Sequence, residues 1–211
     1  MTVAPAAESL DQPRAAPTRY VEDRAWFDRS ALELAPDLLG MLLVHDLPFG
    51  RIVGRIVEVE AYLGPEDLAA HSSRGRTPRN AVMFGAPGYA YVYLIYGLHH
   101  CLNVVAGPDA KPEAVLLRAA QILEGLELVR SRRPNAADAR LAAGPGNLAA
   151  AFGVDRAFNG LDLVAGPLRL AFGDPPGRIA RSARIGVDYS GPWAARPLRF
   201  MIADDQHRSR A

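Results

Sequence analysis

The stretch Arg51-Ile52-Val53-Gly54-Arg55-Ile56-Val57-Glu58-Val59-Glu60-Ala61-Tyr62 decides the fold. It is rich in β-branched residues, holds no proline, and predicts one long strand. A period of two puts Val57, Val59 and Ala61 on one face and Ile56, Glu58, Glu60 and Tyr62 on the other. The apolar set is a core face. Two carboxylates and a phenol then share the opposite face. Outward from this strand, residues 41–46 read as its partner across a Pro48/Gly50 turn. Residues 89–96 and 101–106 alternate like strands, with 97–100 as a hairpin link. Further strand-like pieces are expected at 115–117, 161–165, 168–172, 183–187 and 197–202. Helical expectations are fewer: 35–39 stopped by Gly40, one turn at 67–71, 122–133, and 146–152. The 122–133 helix would bury Leu123, Leu126, Leu128 and Val129, and Asn147 would help cap the 146–152 helix. Strands in groups with few helices between them argue for an α+β domain, with a curved, mainly antiparallel sheet flanked by short helices.

The chain has 211 residues, of which 49% are apolar and 22% charged, the balance of a single domain with a real core. Residues 1–19 are rich in alanine and proline and read as a disordered arm, 20–203 as the domain, and 204–211 as a frayed tail. The start lacks the basic residues and apolar run of a secretory signal, so a cytoplasmic address is expected. No apolar run is long enough for a membrane span. Cys101, the only cysteine, excludes an intrachain disulfide and a cysteine-based zinc cage. The histidines lack metal-ligand spacing, so no metal site is expected. Neither a nucleophile elbow nor a glycine-rich phosphate loop is present.

Net charge is only +1, so charge placement matters more than its sum. Between Asp67 and Asp109 there is no acidic residue, while Arg74, Arg76, Arg79, His71, His99, His100, Tyr89, Tyr91, Tyr93 and Tyr96 all fall there. A second run holds Arg178, Arg181, Arg184, Arg196 and Arg199 against Asp188 alone. Such stretches attract a phosphate backbone, and arginine with tyrosine suits phosphate contact and base stacking. A solvated surface over a tyrosine-rich sheet is the plainer reading. Lys111 is the only lysine and sits in a loop, which argues against Schiff-base chemistry. Glu58 and Glu60 beside Tyr62 could activate a water and stabilise developing positive charge at a sugar carbon. They could equally face solvent on an edge strand, paired with Arg51 or Arg55. The pattern does not choose between the two carboxylates.

Ordered motifs add a resemblance. Glu58 to Asp67 (EVEAYLGPED), Ala70-His71-Ser72, Thr77-Pro78-Arg79-Asn80 and Tyr91 to Gly97 (YVYLIYG) resemble the alkyladenine (3-methyladenine, methylpurine) DNA glycosylase family. The likeness continues through Cys101-Leu102-Asn103, Val115 to Ala119, Gly144-Pro145-Gly146, Ala183 to Val187, Trp193-Ala194 and Pro197 to Phe200. It implies a cofactor-free, metal-free enzyme. Such an enzyme flips alkylated or deaminated purines out of double-stranded DNA and hydrolyses the N-glycosidic bond, without strand cleavage. By the same resemblance Glu60 is the general base and Arg118 helps hold its water. Tyr62, His71 and Tyr93 wall the base pocket. Asn103 crowds the amino group of normal guanine, and Tyr96 wedges into the duplex. Arg74, Arg76, Arg79 and Arg184 are expected on the DNA backbone, the protein is expected to be a monomer, and in a bacterium it would be nucleoid-associated. The sequence departs from the pattern in a 71–77 loop one residue shorter than in vertebrate members. It also departs at Asn147, where a basic residue is common, and at Leu98-His99-His100. A non-catalytic nucleic-acid-binding module and a nucleoside hydrolase are the competing readings.

Overall fold

Strand β2, Gly50–Tyr62, is the longest element and the sheet is assembled around it in the computed structural model, which describes residues 19–108 and 111–209. The 1–19 arm therefore lies almost wholly outside the described residues. One edge of β2 pairs along its length with β5 (Glu113–Glu124). The other edge is shared: β1 (Leu42–Leu47) takes residues 50–55 and β8 (Arg199–Ile202) takes Glu58, Val59 and Glu60. Strands β3 (Ala90–Ile95) and β4 (His99–Ala106) form a hairpin that extends the sheet beyond β5, β6 (Leu168–Ala171) lies beyond β1, and β7 (Ile179–Ser182) pairs with β8. All pairings are antiparallel and the described residues form one eight-stranded sheet, so the α+β expectation holds.

β2 is thus a central strand, and the solvent-facing edge alternative is excluded. Val57, Val59 and Ala61 are fully buried in the main core with Leu117 and Phe200. The alternation is offset at a bulge: register shifts flank Glu58, so Ile56 joins Val57 in the core, while from Val57 onward the pattern holds and Glu58, Glu60 and Tyr62 keep the other face. Gly54 is required where it stands, since a Cβ there would sit 2.8 Å from the ring of Phe152. That ring comes from helix α3, Pro145–Phe152.

Several boundaries differ from expectation. Helix α1 runs Ala31–Leu38 and starts earlier than residue 35, because Ser30 and Glu33 form a capping box that the apolar pattern does not reveal. The 122–133 helix is replaced by the end of β5 and a shorter helix α2, Leu126–Arg132. Gly125, at φ +78°, lies against the Arg51 carbonyl where no side chain fits, and it separates the two. Leu123 therefore packs from the strand, beside Val44 and Val53. Residues 161–165 make a single bridge, Tyr89 to Asp162, and turns. Residues 183–187 form a loop, with the strand displaced to β7. Asn147 caps nothing and instead donates to the Ala143 carbonyl at 2.7 Å. Residues 204–209, expected to fray, are held: Arg140 donates to the Arg208 carbonyl at 2.8 Å and the Ser209 amide donates to Glu58 at 2.6 Å. Among the described residues no helix is long and apolar enough to cross a membrane.

Candidate active site

The register carries one row of side chains across the sheet: Tyr91 on β3 opposite Asn103 on β4, Asn103 opposite Leu116 on β5, Leu116 opposite Glu60 on β2, and Glu60 opposite Arg199 on β8. A second cross-strand pair, Tyr93 and Cys101, lies beside it. Two residues beyond Leu116, Arg118 projects on the same face. Loops 69–79 and 185–189 close over this face, with the β3–β4 tip at one rim. They enclose a cavity of about 400 Å³, the size range of a small-molecule site.

Aromatic groups dominate the walls. His71 meets Tyr93 at 4.5 Å between ring centroids and Tyr91 at 6.0 Å, both edge-on. Tyr91 and Tyr93 lie 5.3 Å apart. His71 Nδ1 is 2.8 Å from the Tyr91 hydroxyl. Burial, with Arg79 and Arg74 nearby, holds the His71 pKa below its ordinary value, so the ring is neutral at pH 7. Burial likewise pushes Tyr91 up to about 12 and Tyr62 and Tyr93 well above the usual phenol range, so all three stay protonated donors. Asn103 is buried in the wall and donates to the Tyr91 carbonyl at 2.9 Å.

Glu60 is fully buried. Its oxygens accept from the Ile185 amide at 2.8 Å, the Tyr62 hydroxyl at 3.0 Å and Arg118 Nη1 at 3.2 Å. Tyr62, Arg118 and Ile185 all face the cavity, and the carboxylate stands directly behind them. A carboxylate has about four acceptor positions, so one of Glu60's is unfilled among the described residues. Burial raises its pKa above the ordinary value, against the lowering pull of Arg118, the Ile185 N–H and the Tyr62 O–H. Arg118 does favour the ionised form, but desolvation outweighs its pull. A raised carboxyl pKa is a stronger base nearer neutral pH. Burial opposes the charge on Arg118, yet Glu60 and Glu58 together hold its pKa above the usual arginine value.

The structure brings Arg118, Tyr62, His71, Tyr93 and Asn103 together on the cavity wall and sets Glu60 behind that wall, bonded to Tyr62, Arg118 and Ile185. Tyr96 stands apart at the hairpin tip, 88% exposed with φ +54°, a left-handed conformation seldom held by a bulky side chain. Arg74, Arg76 and Arg79 are exposed, and among the described residues none pairs with a carboxylate. Arg79 also donates to the Leu94 carbonyl at 2.9 Å and lies over Tyr93. Arg184 does not belong with them. Its side chain is completely buried, forked onto Asp67, bonded to the Ala61 carbonyl, and stacked 4.7 Å from the Tyr62 ring, out of reach of any phosphate. The sequence reading passed over Tyr91 as a wall residue, although its i, i+2 spacing to Tyr93 carries the signal. It had no means of finding the Ile185 amide, a backbone group brought in by a loop. Among the described residues no three metal-ligating side chains gather.

The family model for methylpurine-DNA glycosylase matches residues 25–206. A Streptomyces avermitilis protein named "Putative 3-methyladenine DNA glycosylase" is 50% identical over 197 residues, spanning 90% of this chain and 92% of its own. Proteins of the same name from Methanocella arvoryzae (51% over 179 residues, 84% and 90% covered) and Myxococcus xanthus (47% over 188 residues, 88% and 92%) are similar to it as well. With such coverage and identity, the chain belongs to the methylpurine-DNA glycosylase family.

Proposed function

We propose that this protein excises damaged purines from double-stranded DNA with a water activated by Glu60 and leaves the abasic strand intact. The observation that carries the reading is the joining of two features. One is an aromatic cavity backed by a buried, arginine-held carboxylate; the other is an exposed tyrosine at the rim. The target nucleotide must leave the stack, at a cost of a few kcal/mol that is smallest for damaged or mispaired bases. Tyr96 fills the gap and stacks on the neighbouring pairs. Arg74, Arg76 and Arg79 meet phosphates. The base enters between His71, Tyr62, Tyr91 and Tyr93, and a cationic alkylated purine gains further attraction from the ring faces. Asn103, fixed by its bond to the Tyr91 carbonyl, crowds the exocyclic amino group of normal guanine.

The chemistry then balances simply. A water enters where Tyr62, Arg118 and Ile185 meet and takes Glu60's remaining acceptor position. Its oxygen bonds to C1′ as the C1′–N9 bond breaks, the bonding pair leaves with the purine, and Glu60 receives the water's proton. The relatives' name points to 3-methyladenine, whose cationic ring departs neutral and needs no acid. Lys111 pairs with Glu113 and does not face the cavity, so among the described residues no amine is placed for a covalent step. A free-nucleoside hydrolase would use the same carboxylate but would have no use for an 88% exposed tyrosine at the rim. The protein acts as a monomer on DNA in the cytoplasm. Base release from duplexes carrying 3-methyladenine, 7-methylguanine, hypoxanthine or ethenoadenine tests the reading. Release from at least one duplex, with none from the free nucleoside, supports it; the reverse pattern overturns it.

A further inference from the structure

A second buried carboxylate lies beside the site, and the reaction above gives it no part. Glu58 is 0% exposed and is surrounded by donors. Arg118 Nε reaches it at 3.0 Å, the Ser209 amide at 2.6 Å, the Ser209 hydroxyl at 2.7 Å, and Arg199 Nε lies at 3.6 Å. Both Ser209 donors come from 151 residues along the chain. The segment that carries them is tied down in turn. Arg140 donates to the Arg208 carbonyl, Arg208 Nε donates to the Asp205 carbonyl at 3.0 Å, and His207 pairs with Asp205.

The consequence lies in how Arg118 divides itself. A guanidinium facing one carboxylate with no competitor takes it by two parallel N–H bonds, which neutralises it and fills both oxygens. Here the Nε edge is spent on Glu58, Nη2 lies 3.4 Å from the Ser209 hydroxyl, and only Nη1 reaches Glu60. That contact, at 3.2 Å, is longer than the roughly 2.7–2.9 Å of a strong charge-assisted bond. Glu60 therefore keeps an open acceptor position and part of its basicity.

We propose that Glu58, fastened by Ser209, is a positioning residue that restrains Arg118 to a single contact with Glu60, which makes the C-terminal segment a working part of the site. The proposal rests on the reading of Glu60 as the base. The charged and titratable groups that bear on Glu60 are Glu58 and Tyr62 on its own strand, Arg118 on β5, Arg199 on β8, Tyr93 on β3, Cys101 on β4 and Arg184 from the 183–187 loop. Without Glu58, Arg118 closes onto Glu60, so the base weakens and its water position fills.

Single-turnover release from a damaged duplex, measured across pH, tests this on the full chain for Glu58→Gln, Ser209→Ala, Ser209→Thr and Glu60→Gln. Glu58→Gln should lower the plateau rate about ten- to a hundredfold and move the acid limb downward by about half a pH unit or more. Ser209→Ala should do both to a smaller degree, and Ser209→Thr, which keeps the hydroxyl, should restore the wild-type profile. Affinity for the damaged duplex should stay within about threefold throughout. If Glu58→Gln does not fold, the Ser209→Ala and Ser209→Thr pair decides alone. Folded variants that keep the wild-type plateau and limb while Glu60→Gln is inactive overturn the positioning role only. A loss of thermal stability with an unmoved pH profile does the same. Activity in Glu60→Gln overturns both readings.

Discussion

Removing Asp67 should cost a large share of the domain's stability, and the size of the loss follows from its partners. Asp67 and Arg184 are both completely buried at their side chains. The carboxylate takes the guanidinium in a fork and also accepts the Leu63 and Ala69 amides, each at 3.1 Å, so all its acceptor positions are used. Asp67→Ala leaves a buried cation without its counter-charge and two loop amides without acceptors. Breaking a buried pair from one side costs about 3–5 kcal/mol, a large share of the roughly 5–15 kcal/mol that holds a domain together. With a urea dependence of about 2–3 kcal/mol/M for this size, the unfolding midpoint should fall by about 1–2.5 M. The double change Asp67→Leu with Arg184→Met removes both charges and should recover part of the loss, because apolar side chains replace a buried ion pair at little net cost, while the Leu63 and Ala69 amides stay without acceptors at about 1–3 kcal/mol each. The recovered protein should still excise slowly, since Arg184 no longer backs the Tyr62 ring. Urea titrations of the wild type, Asp67→Ala, Asp67→Leu, Arg184→Met and the double variant check this. A single-variant loss below about 1 kcal/mol, or a double variant no better than the singles, would refute the reasoning.

Other consequences follow from the same geometry. Tyr96→Ser should leave the unfolding midpoint unchanged and weaken binding to damaged duplex; unchanged affinity removes the wedge role. The excision rate should rise with pH through a pKa above the ordinary glutamate value of about 4.3, because burial raises Glu60 and only its ionised form accepts the proton; a limb at or below that value contradicts the assignment. Arg74→Ala with Arg76→Ala should flatten the slope of log affinity against log salt by about 2; an unchanged slope places the phosphates elsewhere. Borohydride should trap no covalent adduct between enzyme and abasic product, and a trapped adduct overturns the water mechanism.

Much of this architecture was legible in the sequence because local pattern and tertiary role coincide. The alternation of Val57, Val59 and Ala61 against Glu58 and Glu60 survives intact in β2. What failed was set by contacts remote in sequence. Arg184 sits in a basic run that reads as a phosphate-binding surface, yet Asp67, far away along the chain, draws it inside. Gly125 carried a readable stop signal that the helical pattern of Leu123, Leu126 and Leu128 obscured. Glu58 and Glu60 are equivalent by spacing; the resemblance singles out Glu60, and in the fold their surroundings tell them apart. Glu60 is ringed by three groups that line the cavity, while Glu58 is ringed by the chain's own C-terminal segment. Ser209 offered no signal at all, since its importance lies entirely in what it touches.

Glu60→Gln tests the central claim most directly, because it keeps the side chain's shape and removes its charge and its capacity to take a proton. Duplex containing hypoxanthine should bind this variant about as tightly as wild type, while single-turnover release of the base falls by at least about a thousandfold. Release within about tenfold of the wild-type rate would contradict the account.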